Sequence, residues 1–263
     1  VEVRPPDVLA SDWDCTLERS DDAPAVRLGL SMVRGLSQAG GERIVACRRA
    51  HAGASGVAFG SIEDLARRAE LNQHDLKSLA RANAFASITL HRRYAYWAVA
   101  GVESAAPMLQ EAPIHERAPA LAAPTEGENL VADYASLGLT LGRHPLALLR
   151  ERLRTMRLSS AAEIATMPHG RLARAGGIVI GRQRPDTAAG IVFVTLEDET
   201  GAINVIVWPQ LLERQRREIL GARLLVVYGT IEREGSVIHL LAKRVADASA
   251  LLGRLETSSR DFH

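Results

Sequence analysis

The sequence predicts an α+β multidomain chain, in which an all-helical tandem helix-hairpin-helix region is followed by a small OB-fold β-barrel. Three observations predict it. Apolar residues recur at helical spacing from Val26 to Gly101, and the period changes to strand alternation from Ala175 onward. The later stretch then runs strand-strand-strand-helix-strand-strand over about 70 residues, the order of an OB barrel, although pattern alone leaves other small barrels open.

Each element has a local reason. Residues 1–25 read as a strand-like start and a polar, acidic loop ending near Pro24. Residues 26–100 form the tandem hairpin region. There Gly40-Gly41 ends a turn region, and Ile44, Val45 and Cys47 stripe the helix that follows. Ser61 is placed to cap a helix, with Asp64 three residues on and Ile62, Leu65, Ala66 and Ala69 on one face. Asn72 caps the next, in which Leu76, Leu79 and Ala80 align. A further helix, from about Ile88 to Val99, carries Tyr94 and Trp97.

Residues 101–125 hold Pro107, Pro113, Pro119 and Pro124, which forbid a continuous helix and mark a Pro/Ala linker. Residues 126–170 read as a helical connector. It has a short helix at Leu130–Tyr134 and a second helix that opens on Pro145, runs to about Met156 and carries Arg150, Arg152 and Arg154. In the barrel, 171–247, strands are expected at Ile178–Ile180, Ile191–Leu196, Ile203–Trp208, Leu224–Glu232 and Val237–Leu241. Asp198-Glu199-Thr200-Gly201 and Glu234-Gly235 are the turns, and Pro209–Leu220 the helix. Residues 248–263 are a tail.

Composition narrows the class. The chain has 263 residues, 47% hydrophobic and 24% charged, an ordinary globular balance. No apolar run approaches the roughly 18 residues of a membrane span, so no membrane partner is expected. There is no signal-peptide pattern and no initiator Met, which reads as a piece of a longer chain. Cys15 and Cys47 make neither a disulfide framework nor a metal knuckle, and the default compartment is a reducing cytoplasm. The net charge of +1 is segregated: residues 1–25 carry −5, 26–100 +6, 101–136 −5 and 137–175 +5, while 176–247 and the tail balance. Alternating blocks fit a polyanion partner or solvated helix faces equally well.

The hairpin signal is more specific. Leu30-x-x-Val33-Arg34-Gly35-Leu36-Ser37, followed by a helix, fits a hairpin that turns backbone N–H groups and a helix N-terminus toward a DNA phosphate. Such contact positions DNA without reading sequence. One copy is equally an ordinary helical turn. A second, Leu76-x-x-Leu79-Ala80-Arg81-Ala82-Asn83-Ala84-Phe85, repeats the spacing ahead of Arg92 and Arg93. Asn83 stands where Gly is expected, and Asn tolerates positive φ. Two copies inside a +6 segment favour duplex DNA, with Arg34, Gly35, Leu36, Ser37, Asn83, Ala84, Arg92 and Arg93 as the contact set.

The barrel is a candidate for single-stranded DNA through stacking beside a basic groove. Phe193, Trp208 and Tyr228 are the aromatics, with Arg182, Arg184 and Arg233 near them in sequence. Phe193 fits the core better than a platform. Both faces of the Tyr228 strand are apolar, so period does not decide which way its ring points. No Walker-type loop, metal-ligand spacing or carboxylate set for two metals is present, and Asp198 and Glu199 read as a solvated turn. No residue is assigned to catalysis or to a metal, and no cofactor is expected in this stretch.

Several strings then identify a family. Asp12-Trp13-Asp14-Cys15-Thr16-Leu17-Glu18, Arg27-Leu28-Gly29-Leu30 and the run from Leu137 to Arg150 resemble the C-terminal part of bacterial DNA polymerase III alpha subunits. So do Phe193 to Gly201 and Asn204 to Pro209. The ending Thr257-Ser258-Ser259-Arg260-Asp261-Phe262-His263 is similar to the error-prone, damage-associated branch. The resemblance implies that residues 1–25 end a fingers region, and that the whole protein copies DNA past lesions with magnesium in a mutagenic repair system. The family's palm carboxylates would then lie upstream of Val1. A clamp-binding pentapeptide is not evident, since Gln215 is followed by Arg-Arg-Glu-Ile, so the resemblance implies recruitment to the sliding clamp indirectly, through accessory mutagenesis proteins. The alternative from another class is a standalone, non-catalytic nucleic-acid-binding repair adaptor; a scaffold whose barrel binds proteins is the third.

Overall fold

A computed structural model describes residues 1–19, 23–51, 58–102, 120–185, 190–235, 237–253, 255 and 260–262. It divides into two compact units, Val1–Leu141 and Gly142–His263, and the division falls inside the stretch that reads as one connector. Of the expected linker, residues 103–119 lie outside the described residues, as do 254, 256–259 and 263 of the tail.

The first unit opens with a small sheet: its first strand falls in the expected strand-like start, and two more form where the acidic loop and the beginning of the helical stretch are expected. β1 (Glu2–Arg4) runs parallel to β3 (Ala25–Arg27), and β2 (Thr16–Glu18) pairs antiparallel on the other side of β3. Glu18 accepts from both Arg4 and Arg27 at 2.8 Å, and the Arg27 hydrogen bond leads the causes holding its carboxyl below the ordinary value. Strands of three residues are too short to show alternation, which explains why the sequence conceals β2 and β3.

Helices follow: α1 (Gln38–His51), α2 (Ile62–Arg68), α3 (Gln73–Arg81), α4 (Arg92–Gly101) and α5 (Glu126–Leu137). Ser61 and Asn72 cap α2 and α3 as expected, accepting from the N–H groups of Asp64 and Asp75. Two boundaries differ from expectation. α1 begins before Gly40-Gly41 and runs through them, and a Cβ on Gly41 would come within 2.4 Å of the Trp13 ring. Here Gly serves close packing rather than a turn. α4 starts at Arg92 rather than near Ile88, with His91 Nδ1 accepting from the Tyr94 N–H at 3.2 Å. Leu30, Ile44, Leu65, Leu76, Leu79, Phe85 and Val99 form the core of this unit.

The second unit begins with α6 (Pro145–Thr155) and α7 (Ala161–Thr166). The barrel strands are β4 (Leu172–Gln183), β5 (Val192–Asp198), β6 (Gly201–Val207), β7 (Leu224–Glu234) and β8 (Val237–Asp247). The order β5-β6-β8-β7-β4 closes through a β4–β5 pairing, and β6 lies parallel to β8. Between β6 and β7 the expected single helix is two, α8 (Pro209–Arg214) and α9 (Arg216–Gly221). They break at Gln215, whose amide both donates to and accepts from the Val245 backbone at 2.9 Å. A last strand, β9 (Arg260–Phe262), adds parallel to the end of β4. Val194, Leu196, Val205, Leu225, Val227, Ile231 and Leu240 fill the barrel.

The Asp198-Glu199 turn is held by Arg150 and is not the solvated turn expected: Glu199 accepts from Arg150 at 2.5 and 2.7 Å, and Asp198 lies deeper. Its carboxylate is buried and accepts from Arg150 at 2.9 Å, the Ala161 N–H at 2.8 Å, and the N–H and hydroxyl of Thr200 at 2.7 Å. Burial alone would raise the Asp198 carboxyl. The Thr200 and Ala161 hydrogen bonds and the Arg150 charge overcome it and hold the group below 3.8. Burial pushes the His144 imidazole down, which suits its role as acceptor for the Leu146 N–H at the start of α6.

Candidate nucleic-acid interface

In the helical unit, the first hairpin has the backbone its sequence demands. Gly35 sits at φ +84, and a Cβ there would meet Ser78 Oγ at 3.0 Å. Leu36 is buried beneath it. Ser37 caps α1: its Oγ accepts from the Gly40 N–H at 3.1 Å. A partner distant in sequence changes the chemistry. Asp75 of α3, fully buried, accepts from the Ser37 N–H and from the Ser37 hydroxyl, both at 2.9 Å. An internal carboxylate thus sits at the helix end where a phosphate is expected, so the Ser37 N–H is not a DNA donor. Gln38 and Ala39, as first-turn residues, keep N–H groups without an intrahelical acceptor. Arg34 is exposed, but its guanidinium donates to the Tyr134 carbonyl at 3.2 Å, over Gly138.

The second hairpin faces inward. Asn83 takes the positive φ expected of it, +56. Ala84 and Phe85 are fully buried, and the Ala84 carbonyl accepts from the Val8 N–H at 2.9 Å. Asp7 accepts from the Ser87 hydroxyl and N–H. This turn packs against the N-terminal segment and does not offer Ala84 to DNA. Arg92 is a second correction. It is 6% exposed and donates to the Asn129 carbonyl and side chain, at 3.1 and 3.0 Å, and to Asp133. Arg93 is exposed and pairs with Glu128 at 2.7 Å. Both hold α5 against α4.

The cations left open lie elsewhere. His74, Lys77 and Arg81 share the exposed face of α3 at i, i+3 and i+7, and His74 flanks Gly35. Neither Lys77 nor Arg81 has a carboxylate partner among the described residues. The signal that marks them in the sequence is the i, i+4 spacing of two like charges.

In the barrel, Arg182 is the third correction. It is 7% exposed, and it donates to the carbonyls of Ile219 and Ala222 at the C-terminal end of α9. Cations are favoured at such an end, and this one is buried there. Arg233 similarly donates to Ala165 and Met167. Arg184 is exposed. Phe193 is not core: Val192 and Val194 on either side of it belong to the core cluster, so Phe193 points outward. In register it lies beside Ile206, which lies beside Leu241. Thr195, Asn204 and His239 form the next row. All but the exposed Asn204 are half-buried, and Trp208, 49% exposed, follows at the end of β6. Tyr228 is half-buried, with Arg174 and Arg244 over its ring at 5.6 and 4.8 Å.

A helix-hairpin-helix region followed by a closed OB barrel defines a nucleic-acid-binding class of chain. Residues 1–95 match the helix-hairpin-helix motif family, and residues 174–247 match the OB-fold nucleic acid binding domain family. Over its whole length the chain is homologous to the error-prone DNA polymerases, and its two regions fit a C-terminal part of such a protein. It is 53% identical to the error-prone DNA polymerase of Alkalilimnicola ehrlichii over 264 residues, and 53% identical to that of Azoarcus sp. over 269. With that of Pseudomonas paraeruginosa it shares 47% over 265. In each case all of this chain aligns, and it spans a quarter of the relative's length. No helix among the described residues is long and apolar enough to cross a membrane.

Proposed function

We infer that this chain is the DNA-handling segment of an error-prone DNA polymerase acting in lesion bypass and damage-induced mutagenesis in the cytoplasm. The helical unit grips duplex phosphates through the Gly35 turn, Gln38, Ala39 and the α3 face. The barrel holds single-stranded template across Phe193, Ile206 and Leu241, with Thr195 and Asn204 beside them. The observation that carries this reading is the α3 face: Lys77 and Arg81 repel each other one turn apart with no paired acid among the described residues, and a phosphate backbone is the natural counter-charge. Synthesis itself, with magnesium, belongs to carboxylates outside these residues. Among the described residues no three His, Cys, Asp or Glu converge to hold a metal ion. Recruitment to the sliding clamp runs through accessory mutagenesis proteins.

The test is the salt dependence of duplex binding by the 263-residue chain. Lys77→Ala/Arg81→Ala should flatten the log–log slope by roughly 0.9 for each phosphate no longer neutralised, equally for all sequences. An unchanged slope would reject the α3 face.

A further inference from the structure

The Tyr228 ring is not available as a base platform, because guanidiniums from both neighbouring strands already lie over it. Register pairs Tyr228 with Arg174 on β4 and with Arg244 on β8, so the three form one row across the outside of the barrel. Both arginines are exposed, and neither has a carboxylate partner among the described residues. Arg4, Arg27, Arg48, Arg92 and Arg150, by contrast, all end on acids. The row's neighbours supply no acid. Gly176 and Val226 lie on one side, Leu172 and Thr230 on the other. Asp247, further along β8, is turned to the Ser249 N–H at 2.8 Å. Two cations are therefore concentrated on one ring and left without an internal counter-charge.

We propose that Arg174, Tyr228 and Arg244 form a phosphate-binding row for a nucleic-acid strand, with the tyrosine acting as a scaffold that spaces two guanidiniums. β4 and β8 are two strand spacings apart, roughly 9–10 Å, and the shared ring draws the two charges inward from there. Each fork can take a phosphate bidentately. Continuity selects nucleic acid as the occupant. β8 carries Leu241 of the strand-binding face, then Lys243 and Arg244, so a strand leaving Phe193, Ile206 and Leu241 meets this row next. Lys243 is pushed out at the register shift that follows Tyr228. The proposal rests on the barrel reading above, and extends it from a stacking face to a backbone track.

The experiment is fluorescence anisotropy of a labelled 20-nucleotide dT oligomer with the 263-residue chain across a salt series. Arg174→Ala/Arg244→Ala should leave the melting temperature in place and flatten the salt slope by about 1.4, two phosphates' worth for a single strand. Tyr228→Leu should weaken binding with both arginines intact, while Tyr228→Phe, which keeps the ring, should match wild type. If Phe193→Ala weakens binding but the double arginine variant keeps the wild-type slope, the row is wrong and the stacking face stands. If the wild-type chain does not bind the oligomer at all, both fall. Displacement by poly-glutamate more effective than by unlabelled oligomer of equal charge would assign the row to an acidic protein and overturn it.

Discussion

In the helical unit, Arg48, Arg92 and Arg93 end on Asp12, Asp133 and Glu128, whereas on the outside of the barrel Arg174 and Arg244 end on the ring of Tyr228. The first kind binds elements together and is neutralised internally. The second is ordered by a neighbour that leaves its charge intact, so it stays available to an outside anion. An arginine-rich segment is therefore a poor guide to a binding surface until the carboxylates around it are known. The +6 of residues 26–100 contains internal clamps as well as free cations.

The comparison is broken most severely at Asp198, the best-buried acid that holds an arginine. Asp198→Asn leaves Arg150 of α6 with Glu199 as its remaining acid and turns an amide NH2 toward buried donors, and should cost about 3 kcal/mol by chemical denaturation. The pH dependence carries a sign. The Asp198 carboxyl lies below its ordinary 3.8 in the folded chain, so its contribution is present above 3.8 and is lost as pH falls through the lower folded value. The gap between wild type and variant should be widest at neutral pH and narrow in acid; a gap that widens in acid would refute the assignment.

Arg92→Ala should come next, at about 2–3 kcal/mol, because it leaves Asp133 with the Thr140 hydroxyl alone and the Asn129 carbonyl without its arginine donor. Its salt slope for duplex DNA should not change. A flatter slope with an unchanged melting temperature would return Arg92 to the surface and dissolve the contrast between the two kinds of arginine. Gly35→Val should cost about 1–3 kcal/mol through its positive φ and the crowding against Ser78, and should weaken duplex binding as well. If only stability falls, the first hairpin is a structural turn, like the second. Arg184→Ala is the smallest, within about 0.5 kcal/mol of wild type in stability, since the residue is exposed. A larger loss would place it among the clamps.

Local chemistry is legible in the chain. Ser61 and Asn72 cap the helices they are expected to cap. Gly35 and Asn83 take the left-handed conformation, and the 198–201 turn joins the strands expected on either side of it. Each depends on interactions within a few residues, which spacing and residue type express directly. The order of strands likewise narrows the second region to a small barrel, and the quoted strings carry the resemblance to the polymerase family.

What only the tertiary structure decided is which charges and rings face water. Arg92 meets Asn129 and Asp133, 37 and 41 residues away, and Arg182 meets Ile219 and Ala222, 37 and 40 away. Asp75 reaches Ser37 across 38 residues and takes the donor expected to face a phosphate. On β5 Thr195 and Glu197 share the side of Phe193, opposite Val192, Val194 and Leu196, an alternation that its aromatic bulk masks; Tyr228 sits in a strand apolar on both faces, so alternation could not orient it. Closure of the barrel did, by enclosing Val192, Val194 and Val227 and turning their neighbours outward. Burial is a property of where distant segments meet, and one-dimensional spacing carries no record of it.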